Sequence, residues 1–194
     1  MAFKERYSRE KRAVLQIRSA QDTSLLVEFP AFLTSLTNSF SSTWNEEQVY
    51  GRQDPIGTFQ STKRTLNVGF DIVSNNSEDA RKNMEMINKV TRMLYPSYSG
   101  VDNALVLSKA PLVEIKFGNL IQDQNESDNF LLGWISTWSA NPVLEMGMFT
   151  PNAGEFFPKV YNATLDFTPQ HRRDLAFNKG ATGNPIKFPY DGGS

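Results

Sequence analysis

The feature that most constrains this chain is the strict alternation from Arg64 to Ile72. Leu66, Val68, Phe70 and Ile72 share one face, while Thr65, Asn67, Gly69 and Asp71 share the other. Successive side chains of a strand point to opposite faces, so this pattern predicts a strand with one buried side. It recurs along the chain. Ala13, Leu15 and Ile17 oppose Arg12, Gln16 and Arg18, and Leu25, Val27 and Phe29 form a second strand closed by Pro30. Val113, Ile115 and Phe117 oppose Glu114 and Lys116, with the two charges turned to water. Lys159 to Phe167 turns Tyr161, Ala163, Leu165 and Phe167 inward and stops at Thr168-Pro169, since proline cannot continue a paired ladder. Phe130 to Trp138 is richer in apolar residues, as expected of a central or interface strand.

One helix interrupts the strands. Ser77 is the expected N-cap, with Glu78 and Asp79 where the helix dipole favours negative charge. Ala80, Met84, Ile87, Val90 and Leu94 recur at steps of three or four, which gives one apolar stripe for packing on a sheet. Arg81, Lys82, Glu85 and Lys89 lie mostly off it, and Tyr95-Pro96 ends the segment.

The other stretches read as connections. Thr34 to Thr43 is dominated by Ser, Thr and Asn and is expected to be a loop anchored by Leu36 and Phe40. Gln122 to Asn129 is polar throughout and is expected to be an exposed hairpin loop. The organisation expected is a basic amino-terminal arm with the first strand over 1–20, a β domain over 21–176 with its helix at 77–95, and an extended tail over 177–194. Within that tail Ile186, Phe188 and Tyr190 alternate, a pattern able to add a strand to a neighbour. The fold class is mainly β (α+β), an antiparallel sandwich or barrel with one packed helix and extended terminal arms.

Composition narrows the chemistry. The chain has 194 residues with 14 Phe, 6 Tyr and 3 Trp, enough for a packed core. Its 20 Lys+Arg balance 21 Asp+Glu, which argues against a basic nucleic-acid binder. It has no cysteine, so disulfides, thiolate metal sites and a cysteine nucleophile are excluded. The single histidine, His171, sits beside Arg172 and Arg173 and reads as an exposed loop residue. No Gly-x-Ser-x-Gly elbow or phosphate-cradling glycine loop occurs. Asp123, Glu126 and Asp128 lack the order of a calcium loop and read as solvated. Glu46 and Glu47 are adjacent, so on a strand they point to opposite faces and do not form a catalytic pair. The expectation is no enzyme, no cofactor and no metal.

No secretory signal or membrane-length apolar run is visible, so a cytoplasmic protein is expected. Asn75-Asn76-Ser77, Asn125-Glu126-Ser127 and Asn162-Ala163-Thr164 then match the glycosylation pattern by accident. Lys4, Arg6, Arg9, Lys11, Arg12 and Arg18, against Glu5 and Glu10, make the first arm basic, suited to touching nucleic acid or at least equally to docking on an acidic neighbouring subunit. Trp44, Tyr50, Trp134, Trp138, Phe157 and Tyr161 suit a core or an oligomer interface. The alternative is that they stack on sugar rings in a soluble carbohydrate-binding β-sandwich module.

The most distinctive passage runs from Trp44 through Glu46, Glu47, Val49, Tyr50, Gly51, Arg52, Asp54, Pro55 and Ile56 to Phe59, Thr62 and Arg64. It reads as a strand, a tight turn and a second strand. Gly51 permits a backbone conformation costly for other residues, and Asp54-Pro55 starts the next bend. With Leu66, Val68, Phe70 and Asp71 behind it, this passage resembles structural proteins of contractile phage tails and related injection systems. The order that follows is also similar: a helix, Met93-Leu94-Tyr95-Pro96, the Pro111 to Gly118 strand and the Tyr161 to Phe167 strand. The likeness spans Gln21 to about Leu175.

The resemblance implies a tail-tube-like β domain in a baseplate hub adaptor or tail tube. It implies a virion protein, assembled in the host cytoplasm into a homo-oligomeric ring with tube, hub, spike or wedge proteins as partners. It implies no membrane, no specific nucleic acid and no active-site residues. Some members continue into a LysM module, which 177–194 does not carry, so LysM-mediated docking is not implied. The site expected is an assembly interface framed by Trp44, Tyr50, Gly51, Arg52, Asp54, Pro55 and Arg64.

Overall fold

The computed structural model describes residues 13–30, 32–98, 107–123, 128–172, 175 and 188–190. Most of the basic arm, most of the tail and the middle of the Gln122 to Asn129 loop lie outside them.

Seven strands form one antiparallel sheet. In chain order these are β1 (Val14–Ser19), β2 (Leu26–Pro30), β3 (Phe32–Glu47), β4 (Ile56–Val73), β7 (Val113–Lys116), β8 (Leu131–Pro142) and β11 (Val160–Pro169). Their spatial order is β2-β1-β7-β8-β11-β4-β3. Two small ribbons, β5 (Ser97–Tyr98) with β6 (Leu107–Lys109) and β9 (Met148–Phe149) with β10 (Phe157–Pro158), complete the strands. Among the described residues one α-helix, α1 (Ser77–Met93), follows β4.

The two edge strands of the sheet are consecutive in sequence. The chain leaves one edge at Pro30 and enters the other at Phe32, so the edges meet there and the sheet curls into an open barrel. Ring packing across the interior agrees. Phe29 of β2 lies 5.7 Å from Phe70 of β4, and Trp138 of β8 lies 6.4 Å from Phe29 and 6.2 Å from Phe70. Leu15, Ile17, Val27, Leu66, Val68, Ile72, Val113, Ile115, Ala163, Leu165 and Phe167 belong to the same core. All lie on the faces that alternation assigned inward. Leu25 does not: it precedes β2 and is exposed.

A bulge in β8 explains how Trp138 reaches the core. The pairing with β11 skips Ser136, so the inward parity changes from Gly133 and Ile135 to Trp138 and Ala140. Trp134, before the bulge, faces outward.

Helix α1 begins one residue earlier than Ser77 suggests. Asn76 is the N-cap, its Oδ1 accepting from the Asp79 N–H at 2.7 Å. Asparagine caps as well as serine, and its longer side chain reaches the third amide here. The buried face carries Ala80, Asn83, Val90 and Met93, with Met84 and Leu94 only half-buried. A polar residue thus sits on the inner stripe, where Asn83 Nδ2 donates to Ser74 Oγ at 2.9 Å. Trp138 Nε1 ties the sheet to the helix by donating to Thr91 Oγ1 at 3.2 Å.

The largest departure from the sequence expectation is Thr34 to Thr43. It is no loop but the middle of β3, a strand of 16 residues. Leu33 and Leu36 pack against the core, and beyond them serine and threonine fit a strand whose two faces largely meet water and which shows no apolar alternation.

Candidate assembly interface

β4 is paired on both sides only from Leu66 onward, where β11 ends its ladder at Phe167. Before that point β4 pairs with β3 alone, from Arg64 opposite Phe40 to Ile56 opposite Glu47. These register pairs make a two-stranded ribbon projecting about 26 Å beyond the barrel, at roughly 3.3 Å per residue.

Cross-strand partners share a face, so the inward stripe of β4 can be followed past the barrel rim. Leu66 is succeeded by Arg64 and Thr62, opposite Asn38, Phe40 and Ser42. The register then shifts between Thr43 and Trp44 and skips Gln60, which turns Phe59 onto the face of Trp44. Trp44 and Phe59 meet edge to face with centroids 5.3 Å apart. Both remain more than half exposed, at 56% and 53%. The face that buries the core of this protein therefore continues as an exposed aromatic surface at Trp44 and Phe59.

The turn at the ribbon tip is exposed throughout. Gly51 has φ 86°, a left-handed conformation that favours glycine, and the Arg52 N–H donates to the Val49 carbonyl at 3.2 Å. Tyr50 is fully exposed, and Val49 and Ile56 add further apolar surface. Among the described residues no ion pair joins Arg52 to Asp54. Trp44, Tyr50, Gly51, Arg52, Asp54 and Pro55 lie in the ribbon's outer part.

Arg64 sits apart from them, at the ribbon base, and is only 3% exposed. Its Nε donates to Asn38 Oδ1 at 3.0 Å, and its guanidinium faces the rings of Phe188 at 5.0 Å and Phe40 at 5.6 Å. Nη1 and Nη2 are buried without a hydrogen-bond partner. Burial lowers the pKa of Arg64, opposed by Tyr190 and Asp123. Alternation did point here, because Arg64 has the parity of Leu66 and Val68. Phe188 and Tyr190 alternate in the tail, but nothing in the sequence places them, Asn38 or Asp123 against Arg64, since these segments meet only in the folded molecule.

His171 belongs to this cluster and corrects the expectation of an exposed residue. It is half-buried, edge-on to Phe188 at 5.5 Å, with Nε2 buried and unpartnered. Burial first, then the charge of Arg64, lowers its pKa, while Asp123 opposes.

The acidic stretch expected to be solvated is divided. Asp123 is buried, whereas Asp128 bonds Arg18 at 2.5 Å, and Glu126 lies outside the described residues. Burial would raise the pKa of Asp128, but the Arg18 bond prevails and lowers it. Glu114, expected in water, is buried because two cations enclose it: Arg18 Nε at 2.5 Å and Arg172 Nη2 at 2.9 Å. Among the described residues no group of three or more acidic or histidine side chains is arranged to hold a metal. No helix among them is long and apolar enough to cross a membrane.

The aromatics divide by position. Tyr161 is buried and Trp138 is largely inside, whereas Trp44, Tyr50 and Trp134 face solvent. A groove of about 340 Å³ between α1, β2 and β4 is lined by Glu28, Asp79, Lys82, Glu85 and Lys89, charges of both signs that converge on no single ligand type.

Neither a family model nor a curated protein matches the chain. Among solved structures, the Dit hub protein of phage SPP1 is similar at 12% identity and TM-score 0.39, over 81% of this chain and 50% of that one. The chain thus spans half the length of that protein. The tail of an empty GTA particle is similar at 8% identity and TM-score 0.34, over 83% of this chain and 92% of that one. Overlaps this partial assign neither a family nor a function.

Proposed function

We propose that this chain is a non-enzymatic structural subunit of a contractile phage tail, joining the tail tube to the baseplate hub or wedge. The observation that carries the reading is the ribbon, whose core-facing stripe passes the Phe40–Phe188 contact and continues into water as Trp44 and Phe59. A two-stranded hairpin is marginal alone, and an exposed aromatic face of this kind serves a partner. Among the described residues β3 pairs only with β4, so its outer edge offers a row of backbone groups to another strand. The likeness of the Trp44 to Asp71 passage to contractile-tail proteins supplies the setting, a ring of copies contacting tube, hub, spike or wedge subunits.

Electron microscopy of the native particle fraction, labelled with an antibody to this chain, tests the proposal. Label at one fixed station of the tail is expected. Absence from every particle, or binding to a glycan panel abolished by Trp44→Ala, would overturn it.

A further inference from the structure

Arg64 is a cation buried at the ribbon base with two guanidinium nitrogens unbonded. Buried charges are ordinarily paired, because water lost from the group must be replaced by hydrogen bonds. Asp123 acts on it through space, yet neither Nη atom is hydrogen-bonded. His171 adds a second unpartnered nitrogen against the same Phe188 ring.

Phe188 covers the site, its ring 5.0 Å from the guanidinium and edge-on to Phe40 at 5.8 Å and His171 at 5.5 Å, and beside it the Tyr190 OH accepts from Asn38 Nδ2 at 3.3 Å. Such a cover leaves both Nη groups unsatisfied, and a carboxylate would satisfy both at once by the two-pronged contact arginine favours.

The same ribbon carries the complementary charge at its other end. Glu46, Glu47 and Asp54 are exposed around the tip against the single cation Arg52, and none forms an ion pair among the described residues. About 26 Å of ribbon separates tip from base, so a tip cannot reach the arginine of its own chain.

We propose that Arg64 is a socket for a carboxylate carried on the ribbon tip of a second copy, which enters by displacing Phe188 to Tyr190. Tip and base are different surfaces, so each copy both gives and receives, and the contact propagates head to tail into a ring or stack. This rests on the assembly reading above, but it is tested without particles.

Sedimentation velocity of the full chain over a concentration series is the measurement. Neutralising the tip with Glu46→Gln, Glu47→Gln and Asp54→Asn is expected to weaken self-association at least tenfold, and these exposed positions leave folding intact. Arg64→Gln should do the same. Loosening the cover with Phe188→Ala and Tyr190→Ala should strengthen association, or create it where the wild type is monomeric. Overturning results are tip neutralisation that leaves the association of the wild type, or of the cover variant where the wild type is monomeric, unchanged, or a cover variant that is monomeric at the highest concentration. Stabilisation by acetate or phosphate that leaves self-association insensitive to the tip would make Arg64 a small-anion site and also overturn the proposal. Tail incorporation is unaffected by such failures, so they leave the proposed function standing.

Discussion

Gly133 of β8 stands so close to Thr168 of β11 that a Cβ there would fall inside contact distance of the Thr168 carbonyl oxygen. It would also meet Phe167 Cζ at 2.6 Å and Pro169 Cα at 2.9 Å. Two of these three neighbours are backbone, which cannot move aside without parting the strands. Gly133→Ala is therefore expected to destabilise by about 1–3 kcal/mol. Each kcal/mol lowers Tm by about 2–4 °C in a domain of this size. Gly57→Ala is the control, because its Cβ would meet only Trp44 Cε3 at 3.5 Å, an ordinary contact. Equal Tm values for the two variants would contradict this packing.

Glu114 is the shared acceptor of Arg18 and Arg172 and is enclosed by them. Glu114→Gln leaves two cations around a neutral amide. The expected cost is about 3 kcal/mol, the low end for breaking a buried pair because Arg172 keeps contact with water. Urea unfolding reads this as a lower midpoint at unchanged slope. A loss no larger than that of an exposed surface charge would show the network to be ornamental.

His171 gives stability a pH dependence of known sign. Its folded-state pKa lies below the ordinary 6.5, so as pH falls the unfolded chain takes up the proton first. The stabilisation is present above 6.5 and declines as pH falls below it toward the folded-state value. Arg64 beside it opposes the proton, and Asp123 favours it. Unfolding midpoints should therefore drop between about pH 7.5 and about pH 5.5, and His171→Phe should flatten that slope. A slope unchanged in the variant would assign it to other groups.

Arg52 is exposed at the ribbon tip, so replacing it should alter stability by no more than about 0.5 kcal/mol, and losing the Trp44–Phe59 contact should cost only about 1 kcal/mol. Incorporation into particles is a different quantity. Arg52→Glu reverses a charge at the tip and Trp44→Ala removes the larger ring of the Trp44–Phe59 pair. Both should leave a folded chain that fails to enter tails in complementation assays. Normal incorporation of both variants would remove the ribbon from the interface.

Alternation made the barrel legible, because each core strand has one face inside and one outside. Leu66 to Ile72 and Tyr161 to Phe167 needed no further information. The same rule failed for Thr34 to Thr43 because only Leu36 of that stretch packs against the core, and one apolar contact makes no alternation. Asn76 displaced Ser77 as cap because two adjacent residues both accept well, and only the backbone decides between them. The turn residues from Tyr50 to Pro55 were legible from Gly51 and Pro55. The Arg64 cluster was legible in part: parity turned Arg64 inward, but its neighbours come from distant segments ending in Asn38, His171 and Tyr190. Glu114 was misplaced for the same reason, since Arg18 and Arg172 reach it only after folding.

The central claim is that the ribbon's exposed surfaces are covered by other polypeptides. Every second backbone amide of β3 from Ser41 to Glu47 points away from β4, and among the described residues no strand pairs with that edge. Hydrogen exchange of these amides and of those from Gly57 to Lys63, compared between purified chain and intact particles, tests the claim most directly. Slowing by at least about tenfold in particles, outward amides included, is the expected result. Identical exchange in both states would show that the ribbon has no partner.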